Sequence, residues 1–358
     1  VYNLQDQFVF GTGLPVVRSG MIINGNNSLV ERDTSSLEDF NLFAVADING
    51  LILNDVTVTG ANTGLAAVAS WYGSEIQLFN SNVIGNQTMG VLSILNHISG
   101  IENSNISNNM GESQFDHLPS GFVGLQSMNF RLSETLISNN SGTAIGGAQL
   151  SGNMNMVVKN NTISGNLGES IGGLQMLQNQ GLITNNTITK NEGQNVGGFY
   201  GSDADNVTLS NNIISGNVLV ITPPAPGQRG GGTGFAEMNI VTSGAPMLAS
   251  RNNIIGQNGN SGSNHVFDTS DVTPTGSVDT VIEPTLVDNG GNTLSHLPVL
   301  GGLAVDGGNS NCELNKVDQR GFIRPWDGNN DGIDVCDIGA IELNSVHEDD
   351  LIFKDGFD

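Results

Sequence analysis

The heptapeptide Asn-Asn-Thr-Ile-Ser-Gly-Asn, residues 160–166, is followed by NNTITKN from Asn185 and by NNIISGN from Asn211. The apolar centres Ile163, Ile188 and Ile214 are therefore 25 and 26 residues apart. The same pattern extends upstream to centres at Ile23, Val56, Val83, Ile106 and Leu136, and downstream to Ile255. Three residues after the nine centres stand Asn26, Thr59, Asn86, Asn109, Asn139, Asn166, Asn191, Asn217 and Asn258. A fixed period of this kind marks a repeat architecture. A second column runs through GVLSI at Gly90, GFVGL at Gly121, IGGAQL at Ile145, IGGLQM at Ile171, VGGFY at Val196 and TGFAEM at Thr233. These short alternating runs suit half-buried strands, and no segment of ten residues carries a helical period.

Propeller blades need about 40 residues and four strands, and leucine-rich repeats need Leu where this second column has Gly, Ala, Val and Phe. A coil of three short strands remains. Equivalent residues would stack about 4.8 Å apart, with Asn in the left-handed conformation at tight corners and its amide forming a ladder. Gly pairs such as Gly172–Gly173 would relieve crowding where the backbone bends. The expected fold is all-β, a right-handed parallel β-helix of about nine or more coils. Its expected segments are a strand or cap over 1–20, coils over 21–262 with a loop insertion at 218–234, further coils over 263–346, and a tail over 347–358.

The 358 residues are 37% hydrophobic and 5% aromatic, with a net charge of −24. Nucleic acid needs clustered cations, so it is excluded as a partner. An anionic membrane surface is excluded on the same ground. No run of about 20 apolar residues exists to span a bilayer. VYNLQDQFVF shows no signal peptide, so the chain reads as a mature form. Two cysteines, Cys312 and Cys336, could be buried thiols. Their place in a loop-rich, Asp-rich segment favours a disulfide and an oxidising compartment.

Beyond Asn258 the repeat gives way to different phrases: DNGGNTLSHLP at Asp288, AVDGGN at Ala304, DQRGFIRP at Asp318 and CDIGAIE at Cys336. In this order they resemble the choice-of-anchor Q domain family of secreted bacterial β-helix proteins, closely over about residues 280–343. The resemblance implies an exported, surface-associated bacterial protein. It brings no shared catalytic activity.

Within these phrases Asp318, Arg320, Arg324 and Asp337 gather two cations and two carboxylates in a chain otherwise poor in cations. Bidentate Arg–carboxylate pairing makes a structural ion network the expected role. DGNNDGID, from Asp327, places oxygens at Asp327, Asn329 and Asp331 before Gly332, the first half of a calcium loop. The twelfth position is Ile338, so the bidentate Glu is missing, and Asp334 would have to help hold Ca²⁺. No other cofactor is expected.

For catalysis a hydrolase needs two carboxylates about 5 to 10 Å apart. Glu169 and Glu192, 23 residues apart and both just after an Asn corner, are the best pair. GESIG, from Gly168, fits the pattern of a nucleophile elbow, but that motif needs a strand-to-helix turn. The next coil has GQNVG there, so Ser170 fills a structural slot.

The expected function is a non-catalytic extracellular or cell-surface scaffold, adhesin or self-assembling subunit. The alternative is a polysaccharide lyase, glycoside hydrolase or carbohydrate-binding module on the same fold, with polysaccharide as partner. At the C-terminus Leu351, Ile352, Phe353 and Phe357 form short apolar runs in an acidic tail. Such a tail would either cap its own last coil or add as a strand to a neighbour, giving a homo-oligomer or head-to-tail filament.

Overall fold

The computed structural model describes residues 14, 16–33, 41–45, 49–62, 65–72, 75–111, 119–203, 206–220, 234–241, 249–309 and 316–351. Cys312, Ile352, Phe353, Phe357 and most of the 218–234 insertion lie outside them. The chain winds into an all-β parallel solenoid. One coil shows the plan. Ala148–Ser151 lies on a first wall, Met156–Lys159 on a second, Thr162–Ser164 on a third, and Leu167–Gly168 forms a short link back towards the first.

The first wall is eight strands deep, so the coils advance through about seven turns. The nine motif centres count levels rather than turns, and the first level, which continues into Met21–Glu31, meets the first wall only through the isolated parallel bridge of Val17 to Val45. Every strand pairing between coils is parallel, from Phe43–Val45 at one end of the first wall to Met238–Val241 at the other. Inward side chains form one continuous apolar core, including Val83, Ile106, Ile137, Ile163, Ile188 and Ile214.

The structure gives each letter of NNTISGN a task. Asn160 and Gly165 turn the corners with φ of 54° and 69°, a conformation open to Gly and tolerated by Asn. Ile163 points into the core, stacked between Ile137 and Ile188. Asn161 and Asn166, each following a corner residue, turn inward and are fully buried. Their amides form two ladders along the solenoid. Asn166 donates its backbone N–H and its Nδ2 to Asn191 Oδ1, at 3.1 and 2.9 Å, and Nδ2 also reaches Ile137 O at 3.0 Å. Asn161 repeats this onto Asn186 and Leu132 O. Buried polar groups are tolerable when each valence is satisfied, and the ladder achieves that in every coil.

The register corrects three motif centres. The stacked column reads Val30, Val58, Val83, Ile106, Ile137, Ile163, not Ile23, Val56 and Leu136. Leu136 takes an outward position equivalent to Thr162, yet it is buried, so its hydrophobicity mimics a core residue. The ladder residue of that coil is accordingly Asn140 rather than Asn139, which turns the corner.

Residues beyond about 278 do not continue as coils. The last parallel bridges join Met238 to Ser263 and Ile254 to Val272. The chain then reverses and runs back along the outside of the third wall, using isolated antiparallel bridges within itself. Lys190 Nζ donates to Pro284 O, His296 meets Ser164, Gln319 meets Thr162, and Ala340 N donates to Thr187. The outward Thr and Ser of the repeat are buried beneath this clasp.

Gly173 tests the ladder packing. A Cβ there would lie 2.4 Å from Gly198 O and 3.1 Å from Asn191 Nδ2. Gly173→Ala is expected to cost about 2 to 4 kcal/mol, by overpacking and loss of the ladder. Gly20→Ala, with nothing within 4 Å, should change stability by less than about 0.5 kcal/mol. Denaturant unfolding of both variants checks this, and equal stabilities would refute the ladder-packing account.

Candidate functional site

The coil geometry settles the carboxylate pair first. Glu192 is in register with Leu167 and Val218. Glu169 lies two residues further along its own coil, so the two acids do not stack. Both are exposed. Glu169 lines a shallow groove of about 280 Å³ between the third and first walls, with Ser141, Thr143, Leu167 and Gln194. The groove therefore presents one carboxylate, with hydroxyl and amide groups beside it. Ser170 accepts from Asn195 Nδ2 at 3.0 Å in the adjoining turn, with no helix behind it.

The charged residues of the C-terminal phrases do converge. Asp318 is fully buried and takes the Arg320 guanidinium at 2.7 Å. Its two oxygens also accept from the backbone N–H of Arg320, Phe322 and Glu342. Arg320 lies over the Phe322 ring at 4.2 Å, a cation–π contact. Arg324 Nε sits 3.0 Å from Glu342 Oε2, both side chains having no exposed surface. That contact is an ion pair by distance without hydrogen-bond alignment, and the other guanidinium nitrogens donate to Gly339 O. Asp337 accepts from the backbone N–H of Asp306 and Leu343.

Glu342, the last residue of CDIGAIE, is the member that sequence reasoning missed. Its position in the same phrase as Asp337 was the available signal. Burial pushes Glu342 up to about 8 against the pull of Arg324, and Asp337 up to about 6. Every polar atom that could do acid–base chemistry here faces backbone or a partner inside the clasp.

The Asp-rich loop is closed on itself. Asp327 Oδ1 and Oδ2 accept from the backbone N–H of Asp331 and Gly332, at 3.0 and 2.8 Å. Asn329 Oδ1 accepts from Asp331 N, and Asp331 Oδ1 from Ile333 N. Asp306 accepts from Gly328 and Asn329 N–H, fastening the loop to the clasp. These are Asx turns. Among the described residues no three His, Cys, Asp or Glu are grouped to hold a metal. Asp327, Asn329 and Asp331 thus each turn a side-chain oxygen to a backbone N–H of the loop, and Asp334 is exposed.

Cys336 is buried among the clasp residues, and no described cysteine is a free thiol. His296 Nδ1 donates to Glu283 O and Nε2 is paired with Ser164 Oγ, and burial lowers it to about 4.

These buried acids set a pH dependence. A carboxyl raised in the folded state is stabilising below its unfolded value and loses that contribution as pH rises through its folded value. His296, lowered by burial, opposes this only below its ordinary 6.5. Between pH 6.5 and 8.5 the acids act alone, with Glu342 near 8 and Glu237 near 7. Stability is expected to fall by about 3 kcal/mol across that window. Glu342→Gln should remove more than half of the fall. Chemical denaturation at several pH values decides it, and a flat wild-type profile would refute the assignment.

The family model for a right-handed β-helix region matches residues 66–278, more than half of the chain and all of the regular coils between those limits. Neither a curated protein nor a solved structure matches the chain. Parallel walls, inward apolar columns and this match agree: the chain belongs to the right-handed β-helix family.

Proposed function

We propose that the protein is a non-catalytic β-helix scaffold of the extracellular space or cell surface, acting as an adhesin or as an assembling subunit. One observation supports this most. Of the convergent charged side chains, Asp318, Arg324, Asp337 and Glu342 are buried and Arg320 half-buried, and they pair with one another and with backbone of the clasp itself. The exposed acids Glu169 and Glu192 stand out of register. The phrases shared with the choice-of-anchor Q proteins support surface location. Among the described residues no helix is long and apolar enough to cross a membrane. Head-to-tail assembly through the tail residues Ile352, Phe353 and Phe357, which lie outside the described residues, is a proposal within this reading; Leu351 ends a short helix from Glu348.

A second reading is a carbohydrate-binding surface at the groove. Ser141, Thr143, Glu169 and Gln194 offer hydrogen bonds beside exposed Leu167 and Met110, the mixed lining that small polar ligands use. Incubation with neutral and uronate polysaccharides separates the cases. Binding without new reducing ends or unsaturated products fits a binding surface, and Gln194→Ala should then weaken it about tenfold, the loss of roughly one hydrogen bond. Bond cleavage that Glu169→Gln abolishes would overturn the non-catalytic reading.

The extracellular reading also expects Cys312 and Cys336 to be bonded. Closing a loop of about 24 residues stabilises by roughly 3 kcal/mol in the chain-entropy model. Reductant should lower the melting temperature and add two mass units after unfolding. EDTA should leave the melt unchanged, because the Asp-rich loop is satisfied by its own N–H groups. A stabilising shift on adding calcium would reinstate the metal at Asp327, Asn329, Asp331 and Asp334.

A further inference from the structure

Both amide ladders end on an acid. The ladder through Asn161, Asn186, Asn212 and Asn253 closes on Asp271 Oδ1. The ladder through Asn109, Asn140, Asn166, Asn191 and Asn217 closes on Glu237. An amide passes the ladder on, since it accepts at Oδ1 and donates at Nδ2. A carboxylate only accepts, so it terminates the column. It also meets the positive end of a row of aligned amide dipoles.

Glu237 reaches this place by an exchange of side chains. Its backbone occupies the first-wall column of Gly121, Gly147, Gly173 and Gly198. In those coils glycine leaves room for the ladder Asn; a Cβ at Gly198 would sit 2.7 Å from Asn217 Nδ2. In the last coil Gly256 turns the corner with φ of 90°, and the chain departs, with Asn258 N bonded to Gly276 O. No Asn arrives in the ladder position. The column residue there is Glu237, and its side chain fills the vacancy.

The two caps differ in their surroundings. Asp271 is only half-buried and accepts from Asn253, from Ser250 Oγ and from Asp268 N–H. Glu237 is 2% exposed. Its oxygens meet Gly216 N–H at 2.9 Å, Asn217 N–H at 3.1 Å and Asn217 Nδ2 at 2.7 Å. Gly262 packs against its stem. Among the described residues, the corner at Gly216–Asn217, the Gly198 column and the Gly262 turn bring no cation and no second acid to it, and burial, opposed by these hydrogen bonds, raises its carboxyl.

We propose that Glu237 is a proton-operated latch on the last coil: the coil stays docked while the carboxyl is protonated and opens more readily once the charge must be buried without a counter-ion. Burial pushes Glu237 up to about 7, with the three N–H donors pulling it down. An opened coil returns the carboxyl to water and to its ordinary value of 4.5. Rising pH therefore favours the open form, by linkage.

The test is amide hydrogen exchange on the full chain, resolved by residue and corrected for the intrinsic pH dependence of exchange. Opening at Gly216 and Asn217 should increase on the order of 50-fold between pH 5 and 8. Asn166, deep in the same ladder, serves as the internal control and should change far less. Glu237→Gln, which carries no charge at any pH, should flatten the response at Asn217 while leaving Asn166 unaltered. Parallel behaviour of Asn217 and Asn166 in the wild type would overturn the latch, whether or not the variant folds. A pH response that survives in a folded Glu237→Gln protein would overturn it as well.

Discussion

The structure depends on one constraint: a buried corner must satisfy its own polar groups in every coil. Asn meets it by accepting twice at Oδ1 and donating twice at Nδ2, so that one side chain serves the coil before and the coil after. That solution needs volume. The facing column is glycine because the amide occupies the space a Cβ would take. Ladder and glycine column are therefore one device read from two strands, and neither can change alone. Glu237 shows the rule by exchange, supplying from the glycine column the acceptor that a missing Asn would have given.

A ladder with direction must start and stop. Among the described residues the two columns start at Ala61 and Val56, which give only backbone N–H groups, to Asn86 Oδ1 and Ser81 Oγ. They stop at the acid side chains of Asp271 and Glu237, which accept from the last amide and have no N–H to pass on. Burial of Glu237 at one stopping end raises its carboxyl in the same sense as the Asp337–Glu342 group of the clasp. Acid and clasp together give a scaffold held most firmly on the acid side of neutrality, down to the point where His296 begins to take a proton.

The clasp explains the chemistry of the outward face. In an exposed solenoid the outward Thr, Ser and Asn of NNTISGN would be solvated. Here Thr162 meets Gln319, Ser164 meets His296 and Asn160 donates to Val317 O. The four C-terminal phrases each contribute: His296, Asp306, the group from Asp318 to Arg324, and the run from Asp337 to Glu342. Their charged residues are paired inside the clasp, and buried ion pairs of this kind are costly to break singly.

The sequence by itself determined the solenoid, because a coil must repeat its inward pattern each time it passes the same wall, and that repetition is written in Ile163, Ile188 and Ile214. It also determined the Asn ladder and the crowding at the Gly pairs, which follow from local corner chemistry. Register was legible only where the outward residues were polar; Leu136, outward but covered, displaced the reading by one residue. What tertiary structure alone decided is the long-range placement. The 263–346 segment reads as more coils, yet from about residue 278 it doubles back, because its partners are outward side chains 94 to 157 residues earlier in the chain. Glu342 and Glu237 acquire their roles from neighbours that no local period links to them. The Asp-rich loop is a turn in both readings, and the structure adds that Asp327, Asn329 and Asp331 accept from N–H groups within their own few residues.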